Sequence, residues 1–189
     1  MERLRLLRLD RFSSASFDRG APRWKEALWL LAGALLLASW LPGSGWRRRL
    51  LRGFGAQIAP GVVIKPGVRV KFPWRLTVGD HSWIGEDVWI DNLAPVTIGA
   101  HACLSQGAYL CTGSHDWASK CFGLITQPIV IENHAWVGAR ANMAPGSTLG
   151  AGAVLAMGSL GKGQMAPWTI YAGTPATATG VRPTQGEVS

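Results

Sequence analysis

The sequence predicts an all-β solenoid, a parallel β-helix of hexapeptide repeats, with an apolar N-terminal helix before it and a short tail after it. Three observations carry this. From Ile58 onward an aliphatic residue recurs every six positions, the fourth place after it is mostly small, and the third place after it holds residue types that tolerate positive φ.

The aliphatic places fall in four blocks: Ile58, Ile64 and Val70; Val78, Ile84 and Ile90; Ile98, Leu104 and Leu110; then Ile131, Val137, Met143, Leu149 and Leu155. The small places are Ser82, Ala94, Ala102, Ala108, Ser114, Ala135, Ala141, Ser147, Ala153 and Ser159, with valine at Val62, Val68 and Val88 and one bulky departure, Trp74. Large and small side chains at this spacing suit a narrow coil in which each hexapeptide supplies one short strand and one corner. Three hexapeptides close a turn, and successive turns stack about 4.8 Å apart as parallel strands. The corners are expected at Gly61, Gly67, His81, Asp87, His101, Gly107, Gly113, His134, Arg140, Gly146, Gly152 and Gly158. The register slips by two residues at Leu76-Thr77 and again at Val96-Thr97, whereas the next step carries about 13 extra residues between His115 and Pro128. Residues 114–128 are therefore expected to protrude as a loop, and long loops on a rigid scaffold usually carry function. The resulting division is a basic and apolar appendage over 1–55, the β-helix over 56–165 and a tail over 166–189.

Within the appendage, Ala27 to Leu41 is almost wholly apolar but, at about 15 residues, shorter than the roughly 20 needed to span a bilayer. A helix that does not cross is expected, packed on the assembly or lying in a membrane interface through residues 24–46, with Trp24, Trp29, Trp40 and Trp46 as anchors. No small-residue cleavage site follows; Leu41-Pro42-Gly43-Ser44-Gly45-Trp46 runs straight into arginines. Arg3, Arg5, Arg8 and Arg11 precede the apolar run and Arg47, Arg48, Arg49 and Arg52 follow it, so the net charge of +8 belongs mostly to the appendage. No nucleic-acid signature accompanies it, and no nucleic-acid partner is expected. Cys103, Cys111 and Cys121 are odd in number and lack metal-ligand spacing, which reads as reduced thiols in a cytoplasmic protein, peripheral on the inner membrane face if the helix touches lipid, with no metal.

The most specific stretches are Trp89-Ile-Asp-Asn-Leu-Ala-Pro-Val-Thr-Ile-Gly99, Leu110-Cys-Thr-Gly-Ser-His-Asp116, Pro128-Ile-Val-Ile-Glu-Asn-His-Ala-Trp-Val-Gly138, Met143-Ala-Pro-Gly-Ser-Thr-Leu-Gly150 and Ala172-Gly-Thr-Pro-Ala176. With these the chain resembles the hexapeptide-repeat acetyltransferases, and within them the colanic-acid biosynthesis type. The resemblance implies a left-handed coil, a homotrimer with active sites between subunits, and direct acetyl transfer from acetyl-CoA to a sugar or lipid-linked oligosaccharide. It also puts the family's catalytic histidine at His115 and its channel-lining tryptophan at Trp136.

Acetyl transfer to an alcohol needs a base for the hydroxyl proton, and neutral histidine suits that near pH 7. Of the four histidines, His81, His101 and His134 share a corner place on consecutive coils, as φ-tolerant turn residues would. His115 alone breaks the pattern, sitting where the repeat ends and the loop begins, with Asp116 beside it as a candidate to orient the ring. Asp91 and Asn92, one coil earlier and beside Cys111 and Thr112, are candidates for acceptor hydroxyls. Trp83, Trp89, Tyr109 and Trp136 take outward-facing places, as a subunit interface or a sugar platform would require. For CoA, Ala139, Met157, Gly158 and Lys162 occupy matching places on the final coils, and Arg182 is placed to reach the nucleotide from the tail. Two other readings fit parts of the pattern: a metal hydratase resembling γ-type carbonic anhydrases, from the column His81, His101 and His134, and a non-catalytic membrane-associated scaffold of a polysaccharide assembly complex. The scaffold would need neither His115 nor its loop.

Overall fold

The computed structural model describes residues 7–15 and 17–183, so Arg3, Arg5 and the end of the tail from 184 lie outside it. The repeat builds a three-sided parallel β-solenoid of about six turns. The first face stacks Gln57–Ile58, Leu76–Val78, Val96–Ile98, Ile129–Ile131, Thr148–Leu149 and Gln164–Met165. The second stacks Val63–Ile64, Trp83–Ile84, Cys103–Leu104, Trp136–Val137, Val154–Leu155 and Thr169–Gly173, and the third Arg69–Val70, Trp89–Asp91, Tyr109–Cys111, Asn142–Met143 and Leu160–Gly161.

Every aliphatic place points inward: Ile64, Ile84, Leu104, Val137 and Leu155 form one buried column, and the other two faces supply matching ones. The core is too narrow for two large layers, so small residues such as Ala102, Ala108, Ala135 and Ala141 fill the corners. Ser82, Ser147 and Ser159 there turn their hydroxyls onto the backbone, as in Ser82 Oγ to the Gly99 carbonyl at 2.6 Å. All the expected corners adopt positive φ except Gly113, where the chain leaves the coil. Trp74 breaks the small pattern because Pro73–Arg75 is a 3₁₀ turn that absorbs the first register slip; its ring stacks on Phe72 with centroids 5.1 Å apart.

Residues 113–126 form an antiparallel hairpin rather than an irregular loop, with Gly113↔Thr126, Ser114↔Ile125 and His115↔Leu124 paired. The stretch expected as a tail likewise closes the second face as an antiparallel pair, Thr169–Gly173 with Ala176–Val181.

At the opposite end, α1 (Arg23–Ala32) runs into a π-helical turn at Gly33–Leu37, and α2 (Ser44–Gly53) covers the first coil. A first coil has carbonyls with no strand below to pair them, a liability the basic run answers. Arg48 donates to the Val62 carbonyl at 2.6 Å, Arg52 to that of Ile58 at 2.8 and 2.5 Å, and the Ser44 hydroxyl to that of Ile64 at 3.1 Å. Arg47 is wholly buried and donates to the carbonyls of Leu37, Gly43 and Ser39. Of the four expected membrane anchors, Trp29 is corrected: it is 1% exposed and its indole donates to the Val70 carbonyl. Trp46 is half-buried, its indole bonded to the Pro42 carbonyl and its ring under Arg47, while Trp24 and Trp40 are open. No helix among the described residues is long and apolar enough to cross a membrane.

Candidate active site at the hairpin

His115 is held by a carbonyl, not by its neighbouring carboxylate. Its Nδ1 lies 2.8 Å from the Phe122 oxygen, and its ring stacks on that of Phe122 at 4.2 Å with planes 4° apart. A carbonyl only accepts, so Nδ1 carries the proton and the lone pair of the neutral ring is on Nε2. Asp116 instead caps the hairpin tip, its carboxylate accepting the Ala118 N–H at 3.0 Å. The segment before α1, residues 7–15 and 17–22, runs as a strap against the hairpin: Phe12 meets the imidazole edge-on at 5.4 Å, and the Arg8 N–H donates to the Lys120 carbonyl at 2.9 Å.

Two cavities border the hairpin. A groove of about 550 Å³ is lined by His115 with Ser114, Trp117, Ala144, Pro145 and Lys162. A polar pocket of about 450 Å³ is walled by Ser13, Ser14, Asp18 and Arg75 with Leu124 and Thr126 of the hairpin. Leu124 is the cross-strand partner of His115, and such partners project to the same face. Arg75 is fixed there by the carbonyls of Leu93 and of Asp18, the latter at 2.5 Å, and lies 3.8 Å from the Asp18 carboxylate. Sequence reasoning missed this pocket because the strap has no periodicity to place it.

The other expected site residues are divided among several places. Trp136, Ala139 and Met157 line one cleft of about 450 Å³ at the corner between second and third faces, and Gly158 follows Met157 at a corner with φ +71°. The Trp136 indole donates to Ser105 at 2.8 Å. Lys162 belongs to the His115 groove instead. Arg182 is tied down, its Nη1 donating to the carbonyls of His134 and Gly152 at 2.8 and 3.1 Å. Asn92 is a correction. It is completely buried, with Oδ1 accepting the Phe72 N–H at 2.9 Å and Nδ2 donating to the Phe72 carbonyl at 2.7 Å, so it completes the ladder at a corner and offers nothing to an acceptor. On the next coil Thr112 has the same role, accepting the Ala94 N–H and donating to the Asp91 carbonyl.

Asp91 is half-buried on the third face and accepts the Tyr109 hydroxyl at 3.3 Å. Tyr109 stacks on Trp89 at 4.7 Å, and Arg69 covers Trp89 at 4.6 Å, so these aromatics are consumed within the chain while Trp83 and Trp136 stay exposed. Burial, then the Cys111 thiol and the Asp91 carboxylate, push the Tyr109 phenol well up. His81, His101 and His134 stack face to face at 5.4 and 5.2 Å, each with positive φ; they are corner residues whose rings lie parallel and do not converge. Among the described residues no group of three or more His, Cys, Asp or Glu is arranged to hold a metal.

No protein-family model matches the chain. The putative colanic acid biosynthesis acetyltransferase WcaF of Escherichia coli (strain K12) is 45% identical over 149 residues, covering 78% of this chain and 81% of that protein. The crystal structure of a hexapeptide-repeat acetyltransferase from Vibrio cholerae, complexed with acetyl coenzyme A, superposes with a TM-score of 0.78 at 26% identity, covering 95% of this chain and 97% of that one. A maltose O-acetyltransferase from Clostridium difficile 630 shares the fold, with a TM-score of 0.73 at 20% identity over 85% of this chain and 88% of that one. A periodic coil, a histidine on a hairpin that interrupts it, and 45% identity across most of both chains converge: the chain belongs to the hexapeptide-repeat acetyltransferases, in the family of the colanic acid biosynthesis acetyltransferase WcaF.

Proposed function

We propose that this acetyltransferase moves the acetyl group of acetyl-CoA to a hydroxyl of a sugar or lipid-linked oligosaccharide, in the making of an exopolysaccharide, with His115 as general base. The observation that carries the reading is the imidazole itself: Nδ1 is committed to the Phe122 carbonyl, which leaves Nε2 as the proton acceptor. The hydroxyl oxygen attacks the thioester carbonyl carbon while Nε2 takes its proton. The tetrahedral intermediate then collapses, the C–S bond breaks, and the imidazolium returns the proton to the departing CoA sulfur. The products are an O-acetyl ester and free CoA thiol, and His115 is neutral again.

The acceptor belongs in the strap pocket, where the hydroxyls of Ser13 and Ser14, the Asp18 carboxylate and the Arg75 guanidinium suit a polyol. Asp91 is then an outlying contact at most. For the donor, Ala139, Met157 and Gly158 offer small residues along stacked coils, and Trp136 flanks them. In one chain His115 and Trp136 line separate clefts. The reading takes from the family resemblance a left-handed coil and a homotrimer, with the hairpin of one copy closing over the coil of the next. Lys162, exposed in the groove, is the cation for the CoA phosphates; Arg182 is withdrawn from that role by its two carbonyls.

Thioester consumption with a panel of lipid-linked and nucleotide sugars tests this. Acetylated sugar and stoichiometric free thiol are expected. Acetylation of amino sugars alone would replace the O-acetyl reading, and a monodisperse monomer that is fully active would remove the shared site.

A further inference from the structure

We propose that the outer stripe of the N-terminal helix docks on a bilayer of anionic phospholipid. Helix α1 and the π-turn after it form one continuous rod over residues 23–37 that is apolar on both sides. The inner side is covered, with Trp29 and Leu37 buried against the first coils. The outer side is not. Trp24, Leu28, Leu31 and Leu35 are spaced by four, three and four residues, hence on one stripe, and are 65, 53, 61 and 64% exposed. Trp40, 80% exposed, and Leu41 extend the patch beyond the rod. Apolar side chains scattered singly need no explanation, but a contiguous row of this size does.

Three features select lipid as the occupant. Trp24 and Trp40 stand open at the two ends of the patch, where indoles sit in the headgroup layer. From Ala27 to Trp46 there is no charged residue, and exposed Arg23 and Arg49 flank that span. The carboxylate next to that span, Glu26, is taken by Arg19 at 2.6 Å, so among the described residues of the helix nothing acidic opposes an anionic surface. Finally, 15 helical residues measure about 22 Å against a hydrocarbon core of about 30 Å, so the rod lies in the interface and does not cross. The stripe sits at the first-coil end of the solenoid. In the cyclic trimer of the proposed function, on which this step rests, that end of every copy faces the same way, so three stripes share a plane and weak contacts add as avidity.

The test uses the full chain with vesicles of phosphatidylcholine alone or with about a third phosphatidylglycerol. Co-sedimentation with the anionic vesicles is expected. The double variant Leu31→Asp/Leu35→Asp should abolish it, and Arg23→Gln/Arg49→Gln should weaken it by roughly five-fold per arginine on anionic vesicles only. Both variants should keep the wild-type mass by light scattering and full acetyl transfer to a soluble acceptor, a readout that separates this proposal from the catalytic one. The proposal is overturned if the wild type ignores anionic vesicles, if the arginine pair binds as the wild type does, or if the aspartate pair changes the oligomeric mass, which would make the stripe a contact between copies.

Discussion

The coil and the hairpin place their side chains by different means. In the coil, a residue's position in its hexapeptide decides where it points. Ile84, Leu104 and Val137 are buried because they share one register, and corner residues as unlike as His81, Asp87 and Arg140 adopt the same left-handed backbone. In the hairpin, His115 is oriented by a carbonyl seven residues on and by Phe12, about a hundred residues back, neither of which a period could specify. The coil is thus a rigid ruler and the hairpin a reactive group mounted on it. Changes in the coil should be felt in folding, and changes at the hairpin in turnover.

The sharpest division comes from His115→Ala. Loss of a general base typically costs 10² to 10⁴ in rate. kcat should fall by that factor while the melting temperature and the acetyl-CoA affinity stay within error and within a few-fold. Near wild-type turnover would remove the base from His115.

What was legible in the sequence follows the same division. The six-residue period located the strands of the coil up to Leu155, their aliphatic columns and all but one of the expected corners, because each hexapeptide of a narrow coil turns one aliphatic and one small side chain inward. Gly113 failed because the chain departs there, and a corner needs a following strand to be a corner. The roles of Arg47, Arg48 and Arg52 were hidden for a different reason. Arg48 and Arg52 answer unpaired carbonyls at the open edge of the first coil, and Arg47 answers those of Leu37, Ser39 and Gly43 in the appendage; no local pattern displays either need, so in the sequence they stand only as basic residues after the apolar run. The strap pocket was likewise invisible: Arg75 and Asp18 meet across 57 positions. The register that puts Asp91 and Asn92 one coil before Cys111 and Thr112 makes both candidates for the acceptor, yet the corner turns consecutive side chains to opposite sides, one out toward Tyr109 and one in onto Phe72.

Asn92→Ala tests that correction, and it belongs to the coil. It leaves the buried Phe72 N–H unpaired, a loss of about 1–3 kcal/mol in unfolding free energy, while the Phe72 carbonyl keeps the Arg75 N–H at 3.0 Å. In the assembled fraction the acceptor KM should not move. A raised KM with unchanged stability would return Asn92 to the acceptor site.

Phe12→Ala probes the strap. An aromatic pair contributes about 0.5–1.5 kcal/mol, so a two- to ten-fold drop in kcat is expected if the edge contact serves only to fix the imidazole. Phe12→Leu should restore some of it, and the shape of the pH–rate profile should be unchanged. A loss confined to acceptor KM would make Phe12 a wall of the pocket instead.

The smallest effect lies in the coil and shows only in alkali. Tyr109 has its phenol raised above the ordinary 10.0, first by burial and then by Cys111 and Asp91. A group that holds its proton more tightly when folded gives no pH dependence while both states are protonated, so below about pH 9 wild type and Tyr109→Phe should melt in parallel. Above the ordinary value the unfolded chain releases the proton first. Unfolding is then favoured, and wild-type stability should fall as pH rises, more steeply than that of the variant, whose ring cannot ionise. The hydroxyl gives up only a 3.3 Å contact to Asp91, so the stability cost of the variant at neutral pH should be slight and turnover should be untouched. Melting curves at about pH 8 and about pH 10.5, on either side of that ordinary value, decide it. Parallel behaviour at both would mean that the phenol is wet, and the column Arg69–Trp89–Tyr109 would then be looser than its stacking distances imply.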